Sequence, residues 1–266
     1  MKLAVAGKGG VGKTTLVALL AHQLSRRGYR VLAVDADPVN HLAYSLGVPK
    51  ATRQSIVPIS AMKELIAERA GGSGGGLFTL NPAVADLVER CGVAVTPNIA
   101  LLQLGTVQTA GSGCFCPENA LLKALLRHIV RQEGEAVLID LEAGLEHLGR
   151  STIERVDWLF IVVEPGMRSV ETALRIRDLA SQIGVRRVGA IANKIPGELE
   201  LAAIKHALGE GGIPLLAAIP YEPSLAAGDL AAIGTHESLP ANSAIAGQLE
   251  ALLQAIESGQ EKANGN

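Results

Sequence analysis

The chain has 266 residues, near the upper limit for one hydrophobic core, and 48% of them are apolar while only 3% are aromatic. Val, Ile, Leu and Ala must therefore fill the interior, as they do where buried parallel strands meet helices. The 24 Lys and Arg against 26 Asp and Glu give a net charge of −2, without the basic excess of a nucleic-acid binder, and no apolar run is long enough to cross a bilayer.

Residues 3–6 read as a short apolar strand. A glycine-rich turn follows, and residues 13–27 carry helical spacing at Leu16, Leu19, Leu20 and Leu24 before Gly28 ends the pattern. Residues 30–34 form a second strand that runs into Asp35. The stretch 50–97 breaks the rhythm. Residues 60–70 look helical, 71–76 are a Gly/Ser run suited to a flexible loop, and the region reads as an irregular insertion. Strands are then expected at 99–104, 136–139, 158–163, 188–192 and 215–219. Helices are expected at 117–132, 169–183, 198–208 and 242–256, with a polar, unstructured tail over 258–266. Alternating strands and helices imply βαβ units. The expected architecture is one α/β P-loop NTPase domain over 1–257, with a mainly parallel, doubly wound sheet flanked by helices. The apolar start is too short for a signal peptide, so a cytoplasmic location is expected.

Gly7-Lys8-Gly9-Gly10-Val11-Gly12-Lys13-Thr14-Thr15 follows a strand and opens a helix, the context a phosphate-binding loop requires. Glycines let successive N–H groups face an anion, and the helix N-terminus adds a favourable dipole. Gly9, Gly10, Val11, Gly12, Lys13, Thr14 and Thr15 are the expected nucleotide contacts. Lys13 reaches the β- and γ-phosphates, and Thr14 offers a hydroxyl to Mg²⁺. Val137-Leu138-Ile139-Asp140 is an apolar strand ending in a carboxylate, suited to a magnesium contact through water. Asp35-Ala36-Asp37-Pro38 ends the second strand at the same edge, where a carboxylate can orient water or hold Mg²⁺ through water. Asn193-Lys194 follows a later strand, but Pro196 stands where a guanine-reading Asp would be needed, which favours ATP over GTP.

The loop, with its additional Lys8, resembles the deviant Walker A loop of the septum-site, plasmid-partition, arsenite-pump and nitrogenase iron-protein family. That resemblance implies that Lys8 reaches across a homodimer to the partner's nucleotide and that Asp37 positions the attacking water. It also implies that Glu142-Ala143-Gly144 is a second switch, and that Pro220, Tyr221 and Glu222, with Asn193 and Lys194, lie on the adenine side.

Gly113-Cys114-Phe115-Cys116-Pro117 is the next informative segment. Pro117 suits a first helical turn, and a helix N-terminus favours the thiolate. Cysteines two apart would close a strained ring, so free thiols or metal ligation are the better readings, and two thiolates per chain can make four only if two chains meet. Cys91 reads as a buried or incidental thiol. His22, His41, His128, His147, His206 and His236 show no metal-ligand spacing.

With Ser60-Ala-Met-Lys-Glu-Leu-Ile66, Asn81-Pro82, Glu142-Ala-Gly-Leu-Glu-His-Leu-Gly149, Glu164-Pro165 and Arg168-Ser-Val-Glu-Thr172, the Cys-x-Cys segment gives the chain a close resemblance to the CooC-type ATPases. These are nickel-insertion accessory proteins of carbon monoxide dehydrogenase. The resemblance implies an ATP- and ADP-binding homodimer that uses Mg²⁺, holds Ni²⁺ or Zn²⁺ through Cys114 and Cys116 of both subunits, and acts on carbon monoxide dehydrogenase. Neither nucleic acid nor membrane is an expected partner. Two rival readings are an iron-protein-like electron donor with a bridging iron–sulfur cluster, and a positioning ATPase of the septum or partition type. The first needs a cysteine shortly after Asp140, where this chain has His147. The second, in its septum form, needs a basic terminal helix, and 242–256 has no Lys or Arg.

Overall fold

A computed structural model describes residues 1–37, 41–71, 79–105, 117–129, 135–141, 155–231, 233–239 and 243–264. Within these residues eight strands form one sheet: β1 (Lys2–Gly7), β2 (Val31–Asp35), β3 (Val93–Thr96), β4 (Ile99–Gln103), β5 (Ala136–Asp140), β6 (Trp158–Val163), β7 (Val188–Ile195) and β8 (Leu215–Pro220). Their order is β3-β4-β2-β5-β1-β6-β7-β8, and every neighbouring pair is parallel except β3 with β4. The central strands read as continuous apolar runs because helices cover both of their faces. The result is the mainly parallel α/β architecture expected from the alternation of elements.

Side-chain alternation sorts the core into two layers. Leu3, Val5, Ala33, Leu101 and Leu138 face the helices α1 (Lys13–Arg26) and α10 (Ala244–Asn264). Ala4, Val34, Leu102 and Ile139 face α4 (Lys63–Ala70), α6 (Pro117–Ile129), α7 (Met167–Gln182) and α8 (Glu198–Glu210). The sheet is thus doubly wound. Its C-terminal edge collects the ends of β1, β2, β4, β5, β6 and β7 on one side of the molecule, the side where ligands bind in open α/β sheets.

Several elements lie outside the sequence-based expectation. In the region 50–97 the helix expected over 60–70 is present as α4, but α3 (Lys50–Ser55), α5 (Leu87–Cys91) and the edge strand β3, whose pairing with β4 shifts register between Ala94 and Thr96, were not expected. The helices α2 (His41–Ser45) and α9 (Pro223–Leu230) were not expected either. Elements this short show too little periodicity to be read from a single sequence. The final helix continues to Asn264, into the stretch read as a tail.

Candidate nucleotide-binding site

The phosphate loop joins β1 directly to α1. Gly12 caps α1 in the left-handed region, at φ 95°, and a Cβ there would stand 2.4 Å from Asn193 Nδ2. A Cβ on Gly7 would meet the Val162 carbonyl at 2.5 Å. Any side chain at either position would therefore collide with β6 or β7. The α1 N-terminus has no side-chain cap and no acidic residue in its first turn. Its N–H groups and dipole are left for an external anion. Lys13, only 8% exposed, curls back so that Nζ donates to the Lys8 carbonyl at 3.3 Å.

A second layer braces this loop. Asn193 Nδ2 donates to the Val11 carbonyl at 2.8 Å, and Lys194 Nζ donates to the Gly10 carbonyl at 2.6 Å. Lys194 has φ 57°, unique among the described non-glycine residues, and this local backbone cost is what aims its side chain back at the loop. Glu164 receives both outer lysines: Lys194 Nζ at 3.1 Å and Lys8 Nζ at 3.6 Å. The Glu164 backbone N–H donates to the Oγ of buried Ser169 at 3.1 Å, which fixes the start of that side chain. In this arrangement Asn193 and Lys194, expected on the adenine side, hold the loop's own carbonyls.

The carboxylates come together across the sheet. Asp35 and Asp140 are direct partners in the parallel β2/β5 register, and both are essentially inaccessible. Burial is the main reason the Asp35 carboxyl is pushed well above the usual carboxylate range, and the Asp140 charge adds to it; the N–H groups of Asp37 and Leu42 oppose the shift. Asp140 is also raised, again chiefly by burial, with Thr14 and Lys13 opposing. Neither Asp140 oxygen closes a hydrogen bond of good geometry, so the Thr14 hydroxyl acts on it as a nearby dipole. Asp35 Oδ2 is likewise without a partner, whereas Oδ1 accepts the Asp37 N–H at 3.1 Å. Two buried carboxyl groups with three orphaned oxygens beside a lysine and a threonine hydroxyl suit a divalent cation. Mg²⁺ bound with a nucleotide needs only one or two protein carboxylates, because phosphates and water supply the rest. Among the described residues no three His, Cys, Asp or Glu side chains converge into a fully protein-made metal cage.

Asp37 is half-buried beside this pair. Pro220 ends β8, Tyr221 is 55% exposed, and Glu222 caps α9 by accepting the Ser224 N–H at 3.2 Å. Cys114 and Cys116, and the second-switch residues Glu142 and Gly144, lie outside the described residues. Cys91 is half-buried with Sγ 3.9 Å from Met62 Sδ. His22 stacks on His236, with ring centroids 3.5 Å apart, and among the described residues neither belongs to a group of three His, Cys, Asp or Glu side chains that could hold a metal ion. Sequence reasoning missed Glu164 as the acceptor for two lysines and Asp35 as the buried partner of Asp140. For Asp35 the signal was available, since it ends its apolar strand just as Asp140 does.

The model of the CobQ/CobB/MinD/ParA nucleotide binding domain matches residues 2–231. The chain is 47% identical over 243 residues, 91% of each chain, to the carbon monoxide dehydrogenase accessory protein CooC of Rhodospirillum rubrum. It is 41% identical over 226 residues, 84% of this chain and 86% of the other, to an uncharacterized ATP-binding protein of Methanocaldococcus jannaschii. The solved structure of septum site-determining protein MinD from Pyrococcus horikoshii, complexed with Mg-ADP, superposes with a TM-score of 0.66 at 21% identity, over 96% of this chain and 94% of that one. The loop that leaves α1 open to an anion, the paired carboxylates beside it and these matches together place the chain in the CobQ/CobB/MinD/ParA family of nucleotide-binding P-loop ATPases, in the branch of the CooC accessory proteins.

Proposed function

We propose that this protein is an ATP-hydrolysing accessory factor that works as a nucleotide-dependent homodimer and assists nickel insertion into carbon monoxide dehydrogenase, carrying Ni²⁺ or Zn²⁺ as cargo between Cys114 and Cys116 of two subunits. The observation that carries this reading is the 47% identity, over nine-tenths of both chains, to a carbon monoxide dehydrogenase accessory protein. The local geometry supports its ATPase half.

The N–H groups of the loop and α1 bind the phosphates, and the glycine geometry keeps side chains away from them. Lys13 moves from the Lys8 carbonyl to the β- and γ-phosphates, where its charge is worth most as negative charge shifts toward the leaving oxygen. Thr14, Asp140 and Asp35 would hold Mg²⁺, which supplies further neutralisation of the phosphate oxygens. Asp37 orients a water in line with the γ-phosphate. Lys8 leaves Glu164 and reaches the partner's nucleotide, so the reacting group is enclosed only in the dimer, where water is excluded and charge stabilisation is strongest. Four thiolates from a two-fold pair suit a soft or borderline divalent ion.

The test is reconstitution. Apo carbon monoxide dehydrogenase is incubated with Ni²⁺, ATP and either the parent protein or Lys13→Ala. Nickel content of the re-isolated enzyme should rise only with the parent. Equal nickel loading with no accessory protein, or with Lys13→Ala, would refute the role.

A further inference from the structure

Gln103 is the last residue of β4 and is 3% exposed, yet neither its Nε2 nor its Oε1 has a hydrogen-bond partner. An unpaired buried amide costs about 1–3 kcal/mol, so its presence needs a reason. Packing does not supply one. Its neighbours along the chain, Leu101, Leu102 and Leu104, are all buried aliphatics, and an apolar side chain of similar size would fill the same place.

The register supplies a reason. β4 and β2 pair in parallel with Gln103 directly opposite Asp35, and β2 and β5 pair with Asp35 directly opposite Asp140. Residues opposite one another in a parallel pair lie on the same face of the sheet, and neighbouring strands are only about 4.8 Å apart. Gln103, Asp35 and Asp140 therefore form one polar row on the α1 side of the sheet. In that row Gln103 has an unused N–H donor and its neighbour Asp35 has an unused acceptor, Oδ2. The other Asp35 oxygen already accepts the Asp37 N–H, so whatever fixes Asp35 also fixes the backbone at Asp37.

We infer that Gln103 is a positioning residue for the nucleotide site. Its amide turns to donate to Asp35 Oδ2 when a magnesium–nucleotide complex is bound beside the Asp35–Asp140 pair, and through Asp35 it sets the backbone at Asp37. This inference rests on the magnesium reading given above. It adds a third member, from a strand carrying no recognised nucleotide motif, to the carboxylate pair. An amide is suited to this position because it adds no charge to a pair that already repels itself.

The experiment compares the parent with Gln103→Met, which keeps length and volume but has no donor, and with Gln103→Leu as a second packing control. ADP affinity is measured by calorimetry with and without Mg²⁺, and the unfolding midpoint is measured on ligand-free protein. Both variants should keep the parent's metal-free ADP affinity and keep or raise the ligand-free midpoint. The tightening of ADP binding by Mg²⁺ should shrink by about tenfold, the effect of one hydrogen bond to a charged group. A lowered midpoint with unchanged magnesium tightening would overturn the inference, because the amide would then be serving the ligand-free fold. A parent protein whose ADP affinity ignores Mg²⁺ would overturn the magnesium reading itself, and the inference with it.

Discussion

The Lys8 ammonium lies 3.6 Å from the Glu164 carboxylate of its own chain. Lys194 shares that carboxylate and also holds the Gly10 carbonyl. The lysine proposed to act across a dimer is thus paired within its own subunit in this structure. Lys8 is 40% exposed in this pair, so the contact contributes at most about 1 kcal/mol and yields readily to a phosphate. Lys8→Ala should retain ADP binding within a few-fold and lose ATP-dependent dimerisation and turnover. Sedimentation and steady-state hydrolysis check this, and turnover at the parent rate would remove the cross-subunit role.

Lys13 is buried and its Nζ sits against the loop it serves. Lys13→Ala should lower hydrolysis by at least about a hundredfold, in line with loss of one strong electrostatic contact to the transition state. Asp37→Asn should bind ATP normally and accumulate the dimer with slowed hydrolysis, measured by single-turnover phosphate release.

Asp35 and Asp140 are two buried carboxyl groups side by side with orphaned oxygens. Replacing one of a buried, uncompensated pair relieves desolvation and repulsion. Asp140→Asn should therefore raise the ligand-free unfolding midpoint, equivalent to about 1–3 kcal/mol, while abolishing the additional stabilisation that Mg²⁺ gives to the ADP complex. Thermal unfolding with ADP alone and with Mg-ADP reads both effects.

The His22–His236 stack joins α1 to the segment after α9 and gives the fold an acid sensitivity. Burial is the main cause that lowers the His22 pKa from its ordinary value to about 4; His236 and Arg26 act in the same direction, and the Leu46 carbonyl opposes. His236 is also lowered, by burial first, with Glu237 opposing. A histidine whose folded pKa lies below its unfolded value contributes stability that is complete above about pH 6.5 and is lost as pH falls toward 4. The unfolding midpoint should fall between pH 6.5 and 4.5, and His22→Phe should flatten that fall. An unchanged slope in the variant would place the acid sensitivity elsewhere.

The phosphate loop, the Asp140 strand and the parallel α/β architecture were legible in the sequence because each is a local pattern: glycines at fixed offsets, an apolar run ending in Asp, and alternating periods. The Gln103–Asp35–Asp140 row was not, because it exists only in the registers of β4, β2 and β5, and no single strand's sequence records which residue lies opposite. Glu164 escaped for a similar reason: its two lysines come from β7 and from the loop after β1, far apart in the chain. Asn193 and Lys194 were recognised as a pair after a strand, but whether such a pair reaches a base or braces a loop depends on backbone angles, here φ 57° at Lys194.

In the proposed function two chains share one metal ion through Cys114 and Cys116, and nucleotide controls their meeting. Titration of the apo-protein with Ni²⁺ and with Zn²⁺, with and without Mg-ATP or Mg-ADP and with oligomeric state followed by sedimentation, tests it most directly. The expected result is one ion per two chains, tighter binding in the nucleotide state that favours the dimer, a reciprocal shift of the dimer equilibrium by metal, weaker binding at low pH, and loss of tight binding in Cys114→Ser and Cys116→Ser with ADP binding retained. One tightly held ion per isolated monomer, or unchanged affinity when both cysteines are serine, would contradict it.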